Sequence, residues 1–443
     1  MSNRRVVITG MGWVTPLGHD LDAAWASLLR GDTGIGPVTR FDASTMATNF
    51  ASEVKDFRLE DFGVDPAAHV GAGLSTKFAL AAASRAWRQA GLDRVRPARP
   101  QRVGMYLGAG EGTPDYDNFM ATNLAGWRDA ERSVDPRVWA ATAFERLDAL
   151  TELEQEPNMA LAHLAEQFGC RGPAFNCMTA CAASTQAIGE AFEIIRRADA
   201  DAMLAGGCHT MIHPLGMTGF IRLTAMSRRT DSPQTAARPF DQTRDGFVMG
   251  EGAGMLVLEE LEHAKARGAT PLAEVVGYGS SADAFRITDI QPDGKGGVAS
   301  MHQALRQAGI SPRETGDDGR PLIHYISAHG TGTKENDKIE TIGVKAVFGP
   351  LAAKIPFSSI KSMMGHLIQA AGAVELITCV KAIETGMVPP TMNLTTPDPD
   401  CDLDYVPNKA RDLNAQGGVE VCLSNSFGFG GQNDTLVVKR FRG

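Results

Sequence analysis

Short apolar runs alternate with helical windows along nearly the whole chain, and this alternation limits the possible folds more than any other feature. RVVITGMGWV reads as a strand running into a Gly turn, followed by the helical DLDAAWASLLRG with Asp20 as its cap. STKFALAAASRAWRQAGL is a helix ending at Gly91, RVGMYLGAG a buried strand, and AFNCMTAC a strand leading directly into ACAASTQAIGEAFEIIRRADA. That last helix has small and apolar residues around its first turns, so it is expected to be buried. The second half follows the same style, with strands at PLAEVVGYGS, IHYISAHG, IPFSS, VCLSNSFG and DTLVVKRF. Helices fall between them at VASMHQALRQAG, NDKIETIGVKAVFG and QAAGAVELITCVKAIETG. Such a pattern predicts an α/β fold with central sheets covered on both faces. No internal sequence repeat is visible, and a boundary near residue 260 divides the chain into 1–260 and 261–443. The stretch 111–160 is polar and charged, with helical pieces such as VWAATAFERLDALTELEQ. It reads either as an insertion lying over the core like a lid or as a solvated surface excursion.

Composition removes whole classes of function. With 43 Lys+Arg against 52 Asp+Glu the net charge is −9, which argues against a nucleic-acid binder. Hydrophobic residues at 43% and charged residues at 21% exclude a mostly disordered chain. No uncharged apolar stretch is long enough to span a bilayer, and the Gly-broken N-terminal run lacks the features of a signal peptide. Seven cysteines, an odd number without a CxxC pair, fit neither a secreted disulfide framework nor a zinc site. A soluble enzyme of the reducing cytoplasm is the expectation.

Cys181 is predicted to sit where a strand ends and a buried helix begins. There the helix N–H groups would favour a thiolate, a suitable place for a nucleophile. A lone buried cysteine is more often a small core residue, so this position alone leaves both readings open. His329, in SAHGTGT, and His366, with Lys361 in IKSMMGH, each follow an apolar strand beside glycines, where α/β folds place their sites. The Gly-rich aromatic loop SNSFGFGG could donate one N–H of an oxyanion hole, with the N–H of Cys181 as the other.

Together these segments resemble the β-ketoacyl-acyl-carrier-protein synthases, most closely the elongating type II ketosynthases. The resemblance runs through VVITGMGWVTPLG, TACAAS, DADAMLAGG, RPFDQTRDGFVMGEGAGMLVLEE, AHGTGTKENDKIE, KSMMGHLIQAAGAVE, PPTMNL and SNSFGFGGQND. It implies a thiolase-like fold: two similar α/β halves in a five-layer αβαβα arrangement, Cys181 in the first and both histidines in the second, assembled as a homodimer. The implied reaction is decarboxylative Claisen condensation of a Cys181-bound acyl chain with malonyl-acyl-carrier protein. The setting is fatty acid synthesis or related lipid or polyketide synthesis. The alternative is a ketosynthase-like carrier-binding or chain-length subunit with little condensing activity, which the presence of Cys181 and both histidines disfavours.

By the same resemblance, His329 and His366 promote decarboxylation, and Lys361 and Glu340 form an ion pair orienting them. The backbone N–H groups of Cys181 and Phe429 make the oxyanion hole, Phe429 also acting as a gate. Thr331 and Thr333 bind the phosphopantetheine arm, residues 283–296 form a second mobile gate, and Phe220 lines the acyl tunnel. Neither cofactor nor metal is implied; the substrates ride on the phosphopantetheine of the acyl-carrier protein.

Three features depart from the family pattern. The span from Gly108 to Cys181 is long, its excess falling in the insertion. Glu111 and Arg222 stand where an apolar and a small residue are usual, which leaves three readings: they pair with each other or with the insertion, they point away into solvent, or they shorten or polarise the acyl pocket, the reshaped pocket being favoured. The basic run expected ahead of the helix near Ser75 is replaced by AAHVGAGLSTKF, with Lys77 its only Lys or Arg. Carrier docking would then fall to Arg228, Arg229 or the insertion, or the carrier would be a dedicated one.

Overall fold

The computed structural model describes residues 4–94, 97–110, 112 and 114–443. Its centre is a sheet of ten strands: β1 Val6–Val14, β2 Val103–Gly108, β3 Ala174–Cys177, β4 Ala202–His209, β5 Gly252–Glu260, β6 Ala273–Ala282, β7 Tyr325–Ser327, β8 Phe357–Ser358, β9 Val421–Gly428 and β10 Gln432–Lys439. Seven helices matter here: α1 Leu74–Gln89, α2 Met159–Phe168, α3 Ala183–Arg196, α4 Pro214–Arg222, α5 Lys295–Ala308, α6 Lys334–Phe348 and α7 Ala371–Thr385.

The spatial order is β8-β7-β9-β10-β6-β1-β5-β4-β2-β3. Counted outward from the β1/β6 seam, each set of five runs first, fifth, fourth, second, third in its own chain order. Each set also has the same directions, two antiparallel pairings followed by two parallel ones. One unit is thus used twice. The seam is three residue pairs long, Val6–Val275, Val7–Glu274 and Ile8–Ala273.

The core explains the layering. α3 and α7 form the middle layer: Ile188, Phe192, Ile195, Leu376, Ile377 and Val380 pack with strand residues of both sets. α1 covers the outer face of the first set, and α5 and α6 that of the second. The result is the αβαβα arrangement. Gly10 and Gly12 let α1 lie directly on β1, since a Cβ there would stand 2.0 Å and 2.2 Å from the carbonyl oxygens of Ala86 and Ala82.

Between β2 and β3 the chain makes an excursion of helices and a two-strand ribbon, ending in α2, which packs on α1 through Leu164 and the Trp87–Phe168 ring pair. The predicted continuous helical piece is two helices, Pro136–Arg146 and Ala149–Leu153, because Asp148 caps the second. The excursion is clamped to the body by a buried relay. Nδ1 of His69 and Nδ1 of His163 are 2.9 Å apart, and His163 Nε2 donates to Glu154 at 3.0 Å. Among the described residues, none of 112–168 lines the cleft at the active centre.

Candidate active site

β3 ends at Cys177, and the turn into α3 opens on Ala180 at φ +47°. A non-glycine residue held there is strained, so the surroundings must fix it. They do. Gly428, the last residue of β9, lies so close that a Cβ on it would come 2.8 Å from Thr179 O and 3.4 Å from Cys181 N. Cys181 therefore sits, buried, at the floor of a cleft of about 490 Å³. The backbone N–H groups of Phe429 and of Cys181 itself act on its sulfur. Burial pushes the thiol up to about 12, offset in part by the nearby Lys361 ammonium.

His366 Nε2 lies 2.9 Å from Cys181 Sγ. His329 follows β7 and meets His366 edge to face, ring centres 5.5 Å apart. Both imidazoles lie well below the ordinary value, first because burial disfavours the cation and then because Lys361 repels it. They are neutral near pH 7. The donor atoms of Cys181, His329 and His366 all fall within 4.8 Å of one another.

The supporting charges differ from expectation. Lys361 pairs with Glu375 rather than Glu340, and its Nζ also donates to His329 O at 2.6 Å. Glu340 instead accepts from the backbone N–H groups of His329 at 2.9 Å and Gly330 at 2.8 Å, and from Asn425 Nδ2. The ammonium thus holds the His329 carbonyl and the Glu340 carboxylate holds its N–H, so this residue's backbone is fixed from both sides. Sequence reasoning missed Glu375. A lone acid in the otherwise apolar AGAVELITCV, buried on every face of α7, was the available signal.

Thr331, Thr333 and Phe429 line the cleft, as do Thr288, Asp289 and Ile290 from the 283–296 loop. That loop is tied to the Gly-rich turn, where Gly430 N–H donates to Ile287 O at 2.7 Å. Thr333 also caps α6. Phe220 packs into an apolar cluster against Cys181 with Ile212, Met217, Met226, Phe247, Met249 and Ile368. Arg222 does not polarise this pocket: as the last residue of α4 it is exposed and absent from the cleft lining. A charge at that position is cheaper in solvent than in an apolar cluster. Glu111 lies outside the described residues.

A duplicated αβαβα fold with a buried thiol, two neutral imidazoles and backbone N–H donors at one point defines a thiolase-like condensing enzyme. Residues 3–264 match the family model "Beta-ketoacyl synthase, N-terminal domain" and residues 272–395 its C-terminal counterpart. The chain is 40% identical over 448 residues to 3-oxoacyl-[acyl-carrier-protein] synthase 2 of Coxiella burnetii, covering 99% of each. Among solved structures, a β-ketoacyl synthase from Burkholderia phymatum aligns with TM-score 0.86 at 32% identity, covering 99% of this chain and 100% of that one. A type II polyketide ketosynthase in complex with its acyl-carrier protein, bound to a hexaketide, aligns with TM-score 0.83 at 32% identity, covering 99% and 100%. The chain belongs to the β-ketoacyl synthase family and is an acyltransferase of the condensing class.

Proposed function

We propose that this enzyme elongates an acyl chain by decarboxylative condensation with malonyl-acyl-carrier protein, giving 3-oxoacyl-acyl-carrier protein in fatty acid or related lipid synthesis. The supporting observation is that His366 Nε2 and two backbone N–H groups converge on the Cys181 sulfur. Cys181 passes its proton toward His366 and attacks the acyl-carrier thioester; the carrier thiol leaves, taking a proton. Malonyl-carrier then loses CO2, and the electron pair of the broken C–C bond moves onto the thioester oxygen. Neutral His329 and His366 each have an N–H to stabilise that charge. The enolate carbon attacks the Cys181 thioester, the N–H groups of Cys181 and Phe429 hold the tetrahedral oxyanion, and the Cys181 thiolate departs.

Thr331 and Thr333 take the phosphopantetheine arm, Phe429 and residues 283–296 gate it, and the apolar cluster with Phe220 receives the acyl chain. That cluster is methionine-rich, so it can repack around a hydrocarbon. No cofactor enters any step. The reading includes a homodimer in the cytoplasm: β3 is an edge strand whose Phe175 is exposed, and all seven cysteines are free thiols. Among the described residues no helix is long and apolar enough to cross a membrane.

Mass spectrometry of protein given acyl-carrier and then malonyl-carrier tests the reading. Cys181 acylation followed by 3-oxoacyl product is expected, and Cys181→Ala removes both. Acylation without product would move the assignment to a non-condensing subunit.

A further inference from the structure

The duplicated fold places two corresponding turns at the centre of the molecule. In the first, Ala180 at φ +47° opens a 3-10 turn over Ala180–Ala182, Cys181 is its second residue, and α3 begins at Ala183. In the second, Ile368 at φ +42° opens Ile368–Ala370, Gln369 is second, and α7 begins at Ala371. Gln369 thus stands where the nucleophile stands in the other half.

The strand ends correspond as well. β9, fourth in its set, ends beside Phe429, whose N–H meets Cys181. β4, fourth in the other set, ends on His209, whose Nδ1–H donates to Gln369 Oε1 at 2.6 Å. His209 and Gln369 are 2% and 7% exposed, so this contact is dry. Gln369 Nε2 fills the space beside Gly110, where a Cβ would come within 2.1 Å of it.

We propose that His209 and Gln369 are positioning residues for His366, a buried pair that holds the turn from His366 to Ala370 so that His366 Nε2 stays on the Cys181 thiol. Backbone bonds fix the His366 peptide itself, with its N–H to Val248 O at 2.7 Å and its carbonyl accepting from Gly250 at 2.9 Å. Beyond it the turn has a backbone bond of its own, Ala370 N–H to Leu367 O at 2.9 Å, and apolar packing of Leu367, Ile368 and Ala370, neither of which ties Gln369 to a neighbouring strand. Ile368 is β-branched at positive φ, the conformation a side chain of that shape resists most, so the turn needs a further anchor. The Gln369 side chain provides it. Burial keeps His209 neutral, down to about 4, so the anchor adds no positive charge beside His366.

The inference rests on the reading of Cys181 and His366 as the reacting pair. Its test compares His209→Leu, Gln369→Leu and His209→Asn in three measurements: iodoacetamide alkylation of Cys181, decarboxylation of malonyl-carrier, and thermal melting. Both leucine variants are expected to slow alkylation and decarboxylation about tenfold or more, the double variant being no worse than either single one. His209→Asn, which restores an N–H near the position of Nδ1, is expected to recover both rates to within about threefold of the parent, with melting little changed in all. Alkylation at the parent rate in His209→Leu and Gln369→Leu would overturn the inference, as would His209→Asn being as slow as His209→Leu. A parent that fails to decarboxylate malonyl-carrier while the alkylation pattern holds would fault the condensing reading and leave the positioning intact.

Discussion

His366 Nε2 rests 2.9 Å from Cys181 Sγ, and the other ring nitrogen of His366 is buried without a partner among the described residues. With burial pushing the thiol up to about 12 and the imidazole well below its ordinary value, the resting pair is thiol and neutral imidazole. The nucleophile is made during attack. Alkylation of Cys181 by iodoacetamide, followed by intact mass, should therefore keep rising through about pH 8 to 10, as thiolate is the reactive form. A plateau already reached below about pH 7 would reveal a preformed thiolate–imidazolium pair and refute this.

Lys361 and Glu375 are an ion pair with both side chains almost fully buried. Removing one partner leaves a charge with no water to solvate it. Glu375→Ala is expected to cost about 3–5 kcal/mol in urea unfolding, whereas the double variant Lys361→Met with Glu375→Leu costs much less. Equal losses in the single and double variants would mean that the pairing contributes little.

The contrast between Glu340 and Glu375 marks the limit of what was legible in the sequence. TACAAS, AHGTGT and KSMMGH located the thiol, both imidazoles and the lysine, because each needs a particular residue at a strand end beside small residues. Which acid meets Lys361 depends on how α7 packs across the sheet from α6, and both acids lie in helices that a sequence reads equally well. The two similar halves are implied by the resemblance alone, and no internal repeat shows in the residues for a related reason. TACAAS and LIQAAG share little beyond small residues, yet they build the same turn, since positive φ and helix contact constrain shape more than identity. Of the readings the sequence leaves open for Arg222, the favoured one, a charge reshaping the tunnel, gives way to the solvent-facing one, because the turn at the end of α4 carries it outward.

Gly428 keeps the end of β9 against the nucleophile turn. In Gly428→Ala the new methyl would press on Thr179 O at 2.8 Å and on the N–H of Cys181 at 3.4 Å. The strand end must move away and take the Phe429 N–H with it. Loss of one oxyanion donor predicts a fall of about 100-fold or more in condensation rate, with melting changed by only a few degrees. Steady-state kinetics with a circular-dichroism melt reads both, and a parent-like rate would remove Phe429 from the oxyanion role.

The scarcity of cations in AAHVGAGLSTKF has a measurable consequence for carrier docking. In this stretch Val70 is 76% exposed, and the protein as a whole carries −9. An acidic carrier gains little from long-range attraction to such a surface, so the KM for acyl-carrier should change less than about threefold between low and high salt. A steep rise in KM with salt would point to a local basic face, with Arg228 the first residue to neutralise.

Acid should destabilise the fold through its buried imidazoles. His209 has an ordinary value of 6.5 and lies near 4 when folded, and His329 and His366 move the same way. Because the folded state binds these protons less readily, their stability is fully present above about pH 6.5 and is lost as the pH falls toward about 4. For His209 alone the full loss is about 3 kcal/mol. Buried Glu340 and Glu375, both raised to about 7, work in the opposite direction, so the informative quantity is a difference between proteins. Urea midpoints of the parent and His209→Asn, measured from about pH 7.5 down to about 5, should separate as the pH falls, the parent losing stability relative to the variant because only the parent has this imidazole to protonate. Parallel curves would mean that His209 does not titrate with folding, its ring being solvated in the native state much as in the unfolded chain.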